Sequence, residues 1–278
     1  MPHSDETSRH RRFAEAAREE RPDLALLCLL VGMEADPGLD EDGLDRAQIE
    51  LDRLAGLVPF SPGGPEGWAA ALARVLGGEH GFRGSGADYR RLESSLLHEV
   101  LEHRRGLPIL LSVVWIEVAR RAGAPVYGVG LPGHFVVGFG DPHGHHVLVD
   151  PFDGGRTLSS EDAATLVAGA TGTPLAPSML SPSTPLDIVL RILNNIRAWA
   201  AARPERTDVR LWAVELSLLL PSHPARLRYE RAQLLVERGE FTAGAKELES
   251  YAEVVAAVEP EAAEAVRRQA RAARAMLN

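Results

Sequence analysis

Apolar residues along this chain recur at two different periods, and the change of period divides it. Up to residue 58 the pattern is helical. Residues 13–20 predict one helix, 24–34 a second behind an Asp23 N-cap, and 43–57 a third. In the third, Leu44, Ile49, Leu51, Leu54 and Leu57 form an approximately helical apolar stripe. A Pro/Gly/Ser linker at 59–65 is followed by a short helix over 68–76 and a glycine-rich stretch, 77–89, that reads as a loop. Leu96, Leu97, Val100 and Leu101 make another helical face, which ends at Arg104-Arg105-Gly106. Pro108 then opens a helix to about residue 122. Proline suits the first helical position, where its missing N–H would have no intrahelical partner, and Gly123 is placed as a C-terminal stop.

Beyond Gly123 the period shortens. Residues 126–129, 134–139 and 145–150 are rich in β-branched and aromatic side chains and bounded by turn residues. Asp141-Pro142-His143-Gly144 predicts a hairpin between the last two. A helix leading into an antiparallel meander gives an α+β core. Ser159 is placed to cap a brief helix, and 171–185 is a second Pro/Ser/Thr-rich linker. The helical period then returns over 186–202, 209–220, 225–238, 242–258 and 261–277, with Gly239 between the third and fourth. Paired helices at this spacing suit a helical-hairpin repeat of about 34 residues. Residues 224–260 carry the best copy, with Ala232, Gly239, Phe241, Ala245 and Tyr251 at repeat-like positions. The expected organisation is an N-terminal helical region at 1–80, an α+β core at 81–170 and an all-α repeat tail at 171–278.

Composition narrows the function classes. With 45% hydrophobic residues in 278, the chain can bury a core, so disorder throughout is excluded. Its longest apolar run, 24–31, falls well short of the ~20 residues of a membrane span. The first residues show no basic-then-apolar export signal, which points to the cytoplasm. A formal charge of −9 argues against general nucleic-acid binding. Cys28 is the one cysteine, so neither an internal disulfide nor a thiolate zinc cluster is available. No phosphate loop or dinucleotide fingerprint is present, and no cofactor is expected.

The candidate chemistry centres on His134 and Asp150, placed on consecutive strands of the expected hairpin. An aspartate bonded to a histidine ring fixes its tautomer and raises its basicity, the orienting half of a hydrolytic triad. The same pair also reads as a structural contact within the sheet. A His-x-His-His cluster, His143, His145 and His146, has spacing for zinc but reads more simply as a polar turn, so no metal is assigned. Cys28 lies in a run that is apolar on every side, where a thiol serves as a small core side chain.

The sequence resembles the SirB-type transglutaminase-like family, whose members carry a C-terminal tetratricopeptide-type region; related cores occur beside F-box modules. The resemblance covers roughly residues 10–260. It rests on Ala35-Asp36-Pro37, Gly81-Phe82-Arg83-Gly84, Ser95, Val100-Leu101, Arg104-Arg105-Gly106-Leu107-Pro108, Gly123, Leu131-Pro132-Gly133-His134-Phe135 and Asp150-Pro151-Phe152-Asp153-Gly154-Gly155-Arg156. It implies a papain-like core in which a nucleophilic cysteine opens the helix before the strands and His and Asp follow. Counted back from Gly123, that cysteine position falls at or beside Pro108, as SirB-type members also tend to have it. The resemblance therefore implies a triad without its nucleophile, and a protein that binds a peptide or protein partner without turning it over. Pro108, Arg104, Arg105, Phe135 and Phe152 would line the cleft. The alternative is a cryptic hydrolase or acyl transferase in which His134, oriented by Asp150, activates Ser112 or water. Ser112 also reads as a helix serine bonded to the carbonyl four residues before it. Oligomeric state is not legible.

Overall fold

The computed structural model describes residues 2–60 and 63–276, with side chains from residue 7 onward. Ser61 and Pro62 of the first linker, and the terminal Leu277 of the last expected helix, lie outside the described residues. The chain forms two compact units, Met1–Ile192 and Leu193–Asn278.

In the first unit, α1 (Pro2–Arg18), α2 (Leu24–Ala35) and α3 (Glu41–Ala55) precede α4 (Pro65–Leu72). The Asp23 carboxylate accepts from the Leu26 amide at 2.9 Å, so the expected N-cap of α2 is formed. Helix α4 continues directly into a π-helical segment, Ala73–Glu79, so the first part of the glycine-rich stretch is helical rather than loop. Two 3-10 turns, Asp88–Arg90 and Glu93–Ser95, lead to α5 (Leu97–His103) and α6 (Pro108–Arg121). Helix α2 packs against α5, and α3 against α6, so the N-terminal helices belong to the same compact unit as the core. Two acidic–basic clusters hold α3 there. Glu117 of α6 is buried and paired with Arg120 and Arg121, and Arg121 reaches Gln48 at 2.6 Å and Asp52 at 2.8 Å. Glu50 sits between Arg53 and Arg104, whose guanidiniums hold its carboxyl at about 2 against the opposing effect of burial.

The sheet comprises β1 (Val126–Val129), β2 (Val136–Gly140), β3 (His146–Asp150), β4 (Arg156–Leu158) and β5 (Pro182–Ser183), in the order β4-β3-β2-β1-β5, all antiparallel. The meander was expected, but β4 and β5 were not. They are three and two residues long, too short for period two to register, and β5 opens on a proline, which is tolerated at an edge. The register pairs Val129 with Val136, and Leu148 with Gly138 and Leu158. These side chains share one sheet face and form a core with Leu131 and Val167, the latter from α7 (Ser160–Thr171). Ser159 caps α7 through a reciprocal capping box with Asp162. Helix α6 packs against β1 and β2 on the opposite face.

The second unit begins within α8 (Pro185–Ala201) and contains α9 (Thr207–Leu219), α10 (Arg226–Glu237), α11 (Phe241–Ala256) and α12 (Pro260–Ala275). Ala232, Leu248, Ala252, Ala263, Val266 and Ala270 form the core of α10–α12. Small residues let these helices approach closely: a Cβ on Gly244 of α11 would stand 2.9 Å from the Ala232 carbonyl of α10. Tyr251 packs on Tyr229 with ring centroids 5.3 Å apart, and Gly239 turns the chain between α10 and α11 at φ +83°.

Candidate functional site

His134 is set by a tight turn and not by a strand, a difference from the sequence reading. Leu131-Pro132-Gly133-His134 closes with the His134 amide donating to the Leu131 carbonyl at 3.1 Å. Proline at the second position and a glycine at φ +72° in the third are the requirements of a type II turn. A β-branched or bulky residue at Gly133 would be strained there. Asp150 is the last residue of β3. One of its carboxylate oxygens accepts from the Phe152 amide at 2.9 Å and starts the 3-10 turn Pro151–Asp153. Its other oxygen lies 2.8 Å from His134 Nε2. Both side chains are largely buried, 12% and 7% exposed, so the pair is sheltered from bulk solvent screening.

Two aromatic rings stand beside the pair. Phe152 meets His134 edge-on at 6.0 Å, and Tyr89 meets Phe152 at 6.1 Å. Burial, with a further contribution from the Asp150 charge, pushes the Tyr89 hydroxyl above its ordinary value, so it stays protonated at neutral pH. With Nε2 committed to Asp150, Nδ1 is the ring nitrogen left to meet a ligand.

The turn has a clamp that sequence reasoning missed. Arg191 of α8 donates through Nη2 to the carbonyls of Leu131, at 2.5 Å, and His134, at 2.6 Å. Its guanidinium also lies over the Phe135 ring, 5.4 Å from the centroid, and burial lowers its pKa. An arginine on an amphipathic helix 57 residues downstream gives no local sign that it binds this backbone.

The other candidates are placed as follows. Pro108 is buried at the first position of α6 and offers neither thiol nor hydroxyl. Ser112, one turn on, is fully buried and donates to the Phe135 carbonyl at 3.3 Å. The hydroxyl is bonded to backbone, but across on the β-layer and not, as expected, to the carbonyl four residues earlier in its own helix. Phe135 is a core ring 1% exposed, packed at Gly128 and Ile116, and does not line a cleft. Arg104 is bonded to Glu50 at 2.6 Å and lies over Phe82, 4.7 Å from its centroid. Arg105 is paired with the buried Asp88 at 3.2 Å, which Ser85 also caps. Both arginines are thus tied into the fold. Of the five expected lining residues, Phe152 stands edge-on to His134. The hairpin histidines do not converge: His145 pairs with Glu66 at 2.8 Å, and His146 Nδ1 lies 3.0 Å from the Gly144 carbonyl. Cys28 is buried in α2, and desolvation, with smaller contributions from Glu117 and Asp23, raises its pKa far beyond the range of a reactive thiol.

Comparison with known proteins assigns the two regions of the chain. A family model described as transglutaminase-like superfamily matches residues 45–194, and a tetratricopeptide repeat model matches 196–278. A UPF0162 protein of Xylella fastidiosa is 33% identical over 187 residues, spanning 66% of this chain and 66% of its own. The chain therefore spans just under two thirds of that relative. A UPF0162 protein of Haemophilus influenzae is 25% identical over 224 residues, with 77% of this chain and 82% of its own covered. Mouse F-box only protein 21 is 23% identical over 165 residues, which are 57% of this chain and 26% of that protein.

Proposed function

The chain belongs to the transglutaminase-like superfamily and carries a C-terminal tetratricopeptide repeat region, and from that premise we propose that it is a non-catalytic binding protein for a peptide or protein partner. The observation that carries this reading is the pairing of His134 with Asp150 at 2.8 Å while Pro108 opens α6 and Ser112 spends its hydroxyl on the Phe135 carbonyl. The orienting half of a triad is present, and no thiol or hydroxyl of the expected helix is directed to it. Such a pair still presents a fixed imidazole nitrogen beside the Phe152 and Tyr89 rings. That combination suits a peptide amide held by one hydrogen bond and by contact with aromatic edges. The repeat region supplies a second surface, since stacked helical hairpins generally serve protein–protein interaction. A lone buried cysteine fits a reducing compartment, so the cytoplasm is the proposed setting.

A second reading keeps His134 as a general base for water, which needs no side-chain nucleophile. One experiment separates the two. Peptides selected from a random display library on the full chain would be measured by calorimetry against wild type, His134→Ala and Phe152→Ala, and recovered for mass analysis. The expected result is intact peptide and binding weakened ~10-fold or more by either substitution, the scale of a central contact. Cleaved peptide that stays intact with His134→Ala would establish the hydrolytic reading instead. Unchanged affinity in both variants would remove the site from binding.

A further inference from the structure

A second cluster lies apart from the His134 site, where the end of α2 meets the start of α5. Asp36 caps α2, and His98 and Glu99 are the second and third residues of α5. One oxygen of each carboxylate already has a polar neighbour. Asp36 Oδ1 accepts from the Gly38 amide at 2.8 Å, and Glu99 Oε2 lies 3.2 Å from His103 Nδ1. The remaining oxygens face one nitrogen: Asp36 Oδ2 is 3.6 Å and Glu99 Oε1 is 3.7 Å from His98 Nε2.

Those separations are too long for hydrogen bonds. They match donors that share an ion: bonds of about 2.1 Å at tetrahedral to trigonal angles put ligand atoms about 3.4–3.6 Å apart. The imidazole supports the same view. Both ring nitrogens of His98 are buried without a hydrogen-bond partner, an expensive state for a polar group. The ring is pressed against α2, where a Cβ on Gly32 would stand 2.6 Å from Nδ1, so it cannot swing that way to find a partner. Burial favours its neutral form, the form that ligates, although Glu99 and Asp36 oppose the shift. Among the described residues this is the group that gathers three metal-ligating side chains, with donor atoms all within 4.8 Å of one another.

We propose that Asp36, His98 and Glu99 form a binding site for a divalent transition cation of the zinc class, tying the end of α2 to the start of α5. One imidazole with two carboxylates is a borderline donor set, suited to Zn²⁺ and less to Ca²⁺ or Mg²⁺, which prefer oxygen alone. Three protein ligands leave at least one coordination position for water. His98 also borders an open cavity of about 570 Å³, together with Glu50, Glu102, Arg46, Arg53 and Arg104. The Asp36 turn and the His103 contact act as the outer shell that orients the carboxylates.

The test uses the full chain and Zn²⁺ alone. After exhaustive chelation, protein is dialysed against micromolar free Zn²⁺, its metal content is measured, and Co²⁺ is substituted to read coordination from its visible absorption. Wild type should retain one equivalent beyond that of His98→Asn, bind Co²⁺ with the intense bands of a low-coordinate site, and melt at higher temperature with zinc than without. His98→Asn should bind at least ~10-fold more weakly and lose both the bands and the thermal shift. His145→Ala, on the separate hairpin, should behave as wild type. If His98→Asn fails to fold, Glu99→Gln carries the same comparison. Equal zinc content in wild type and the folded variant, or no zinc in wild type, overturns the proposal.

Discussion

Gly77→Ala is expected to destabilise the first unit by about 3 kcal/mol or more, the upper range for forcing a methyl into packed structure. Gly77 lies in the π-helical segment that follows α4. A Cβ there would stand 2.0 Å from the Gly154 carbonyl oxygen and 2.7 Å from its carbon. The obstacle is backbone on both sides, with no flexible side-chain end to swing away. Gly154 and Gly155, at φ +63° and +88°, form the turn that leaves Asp150, and a Cβ on Gly155 would strike Ala73 of the same π-helical segment at 2.8 Å. The methyl must therefore displace the very turn on which Asp150 and Phe152 depend. Urea denaturation monitored by circular dichroism would measure the loss. Gly169→Ala is the control: it is an exposed helical glycine of α7 with nothing within 4 Å of its Cβ, and it should be neutral or stabilising by up to about 1 kcal/mol. Equal midpoints for the two variants would refute this account of the π-helical contact.

The second large effect is expected at Arg191. Leucine in its place keeps bulk over Phe135 but strips the donor from the carbonyls of Leu131 and His134. Hydrogen bonds from a charged donor contribute ~1.5–3 kcal/mol each, and some of that loss is recovered because a buried guanidinium no longer has to be desolvated. A net destabilisation of about 3 kcal/mol follows, measured by denaturant midpoint. Lysine should rescue it poorly, because its compact, strongly hydrated ammonium is costlier to bury and cannot lie flat over the Phe135 ring as the guanidinium does. Arg191 is a positioning residue, so hydrogen exchange provides the second readout. The His134 amide, bonded to Leu131 across the turn, should exchange faster in Arg191→Leu at a denaturant concentration where the rest of the sheet stays protected. Uniform loss of protection with no preference for the turn would mean that Arg191 is only bulk.

How far sequence carries depends on whether a contact leaves a local trace. The Asp23 cap, the Ser159 cap, the proline that opens α6 and the three longer strands all involve neighbours in sequence, and each forms, although the second strand starts at Val136 and not at His134. His134 and Asp150 were legible as a pair because each sits in a turn motif whose residues specify its geometry, Pro-Gly for one and Asp-Pro-Phe for the other. Their surroundings were not. Phe135 reads as a lining residue beside a catalytic-looking histidine, yet the side chain next to His134 faces the core, and Arg104 and Arg105 find acidic partners 54 and 17 residues away. The end of the π-helical extension of α4 escaped because Gly77, which admits the Gly154 backbone, and Gly78 together look like loop composition. Arg191, Tyr89 and the Asp36–His98–Glu99 group are all tertiary juxtapositions with no spacing rule to announce them.

The proposed non-catalytic reading requires that the His134–Asp150 pair activate no side-chain nucleophile. Intact-protein mass spectrometry after exposure of the native chain to an activated ester tests this most directly. The expected result, after peptide mapping to set aside acylation of the exposed Lys246 amine, is no adduct on Ser112 or Cys28, because Ser112 is bonded to the Phe135 carbonyl and the Cys28 thiol is buried and protonated. A stoichiometric acyl adduct on Ser112 or Cys28, abolished by His134→Ala in a folded protein, would contradict it.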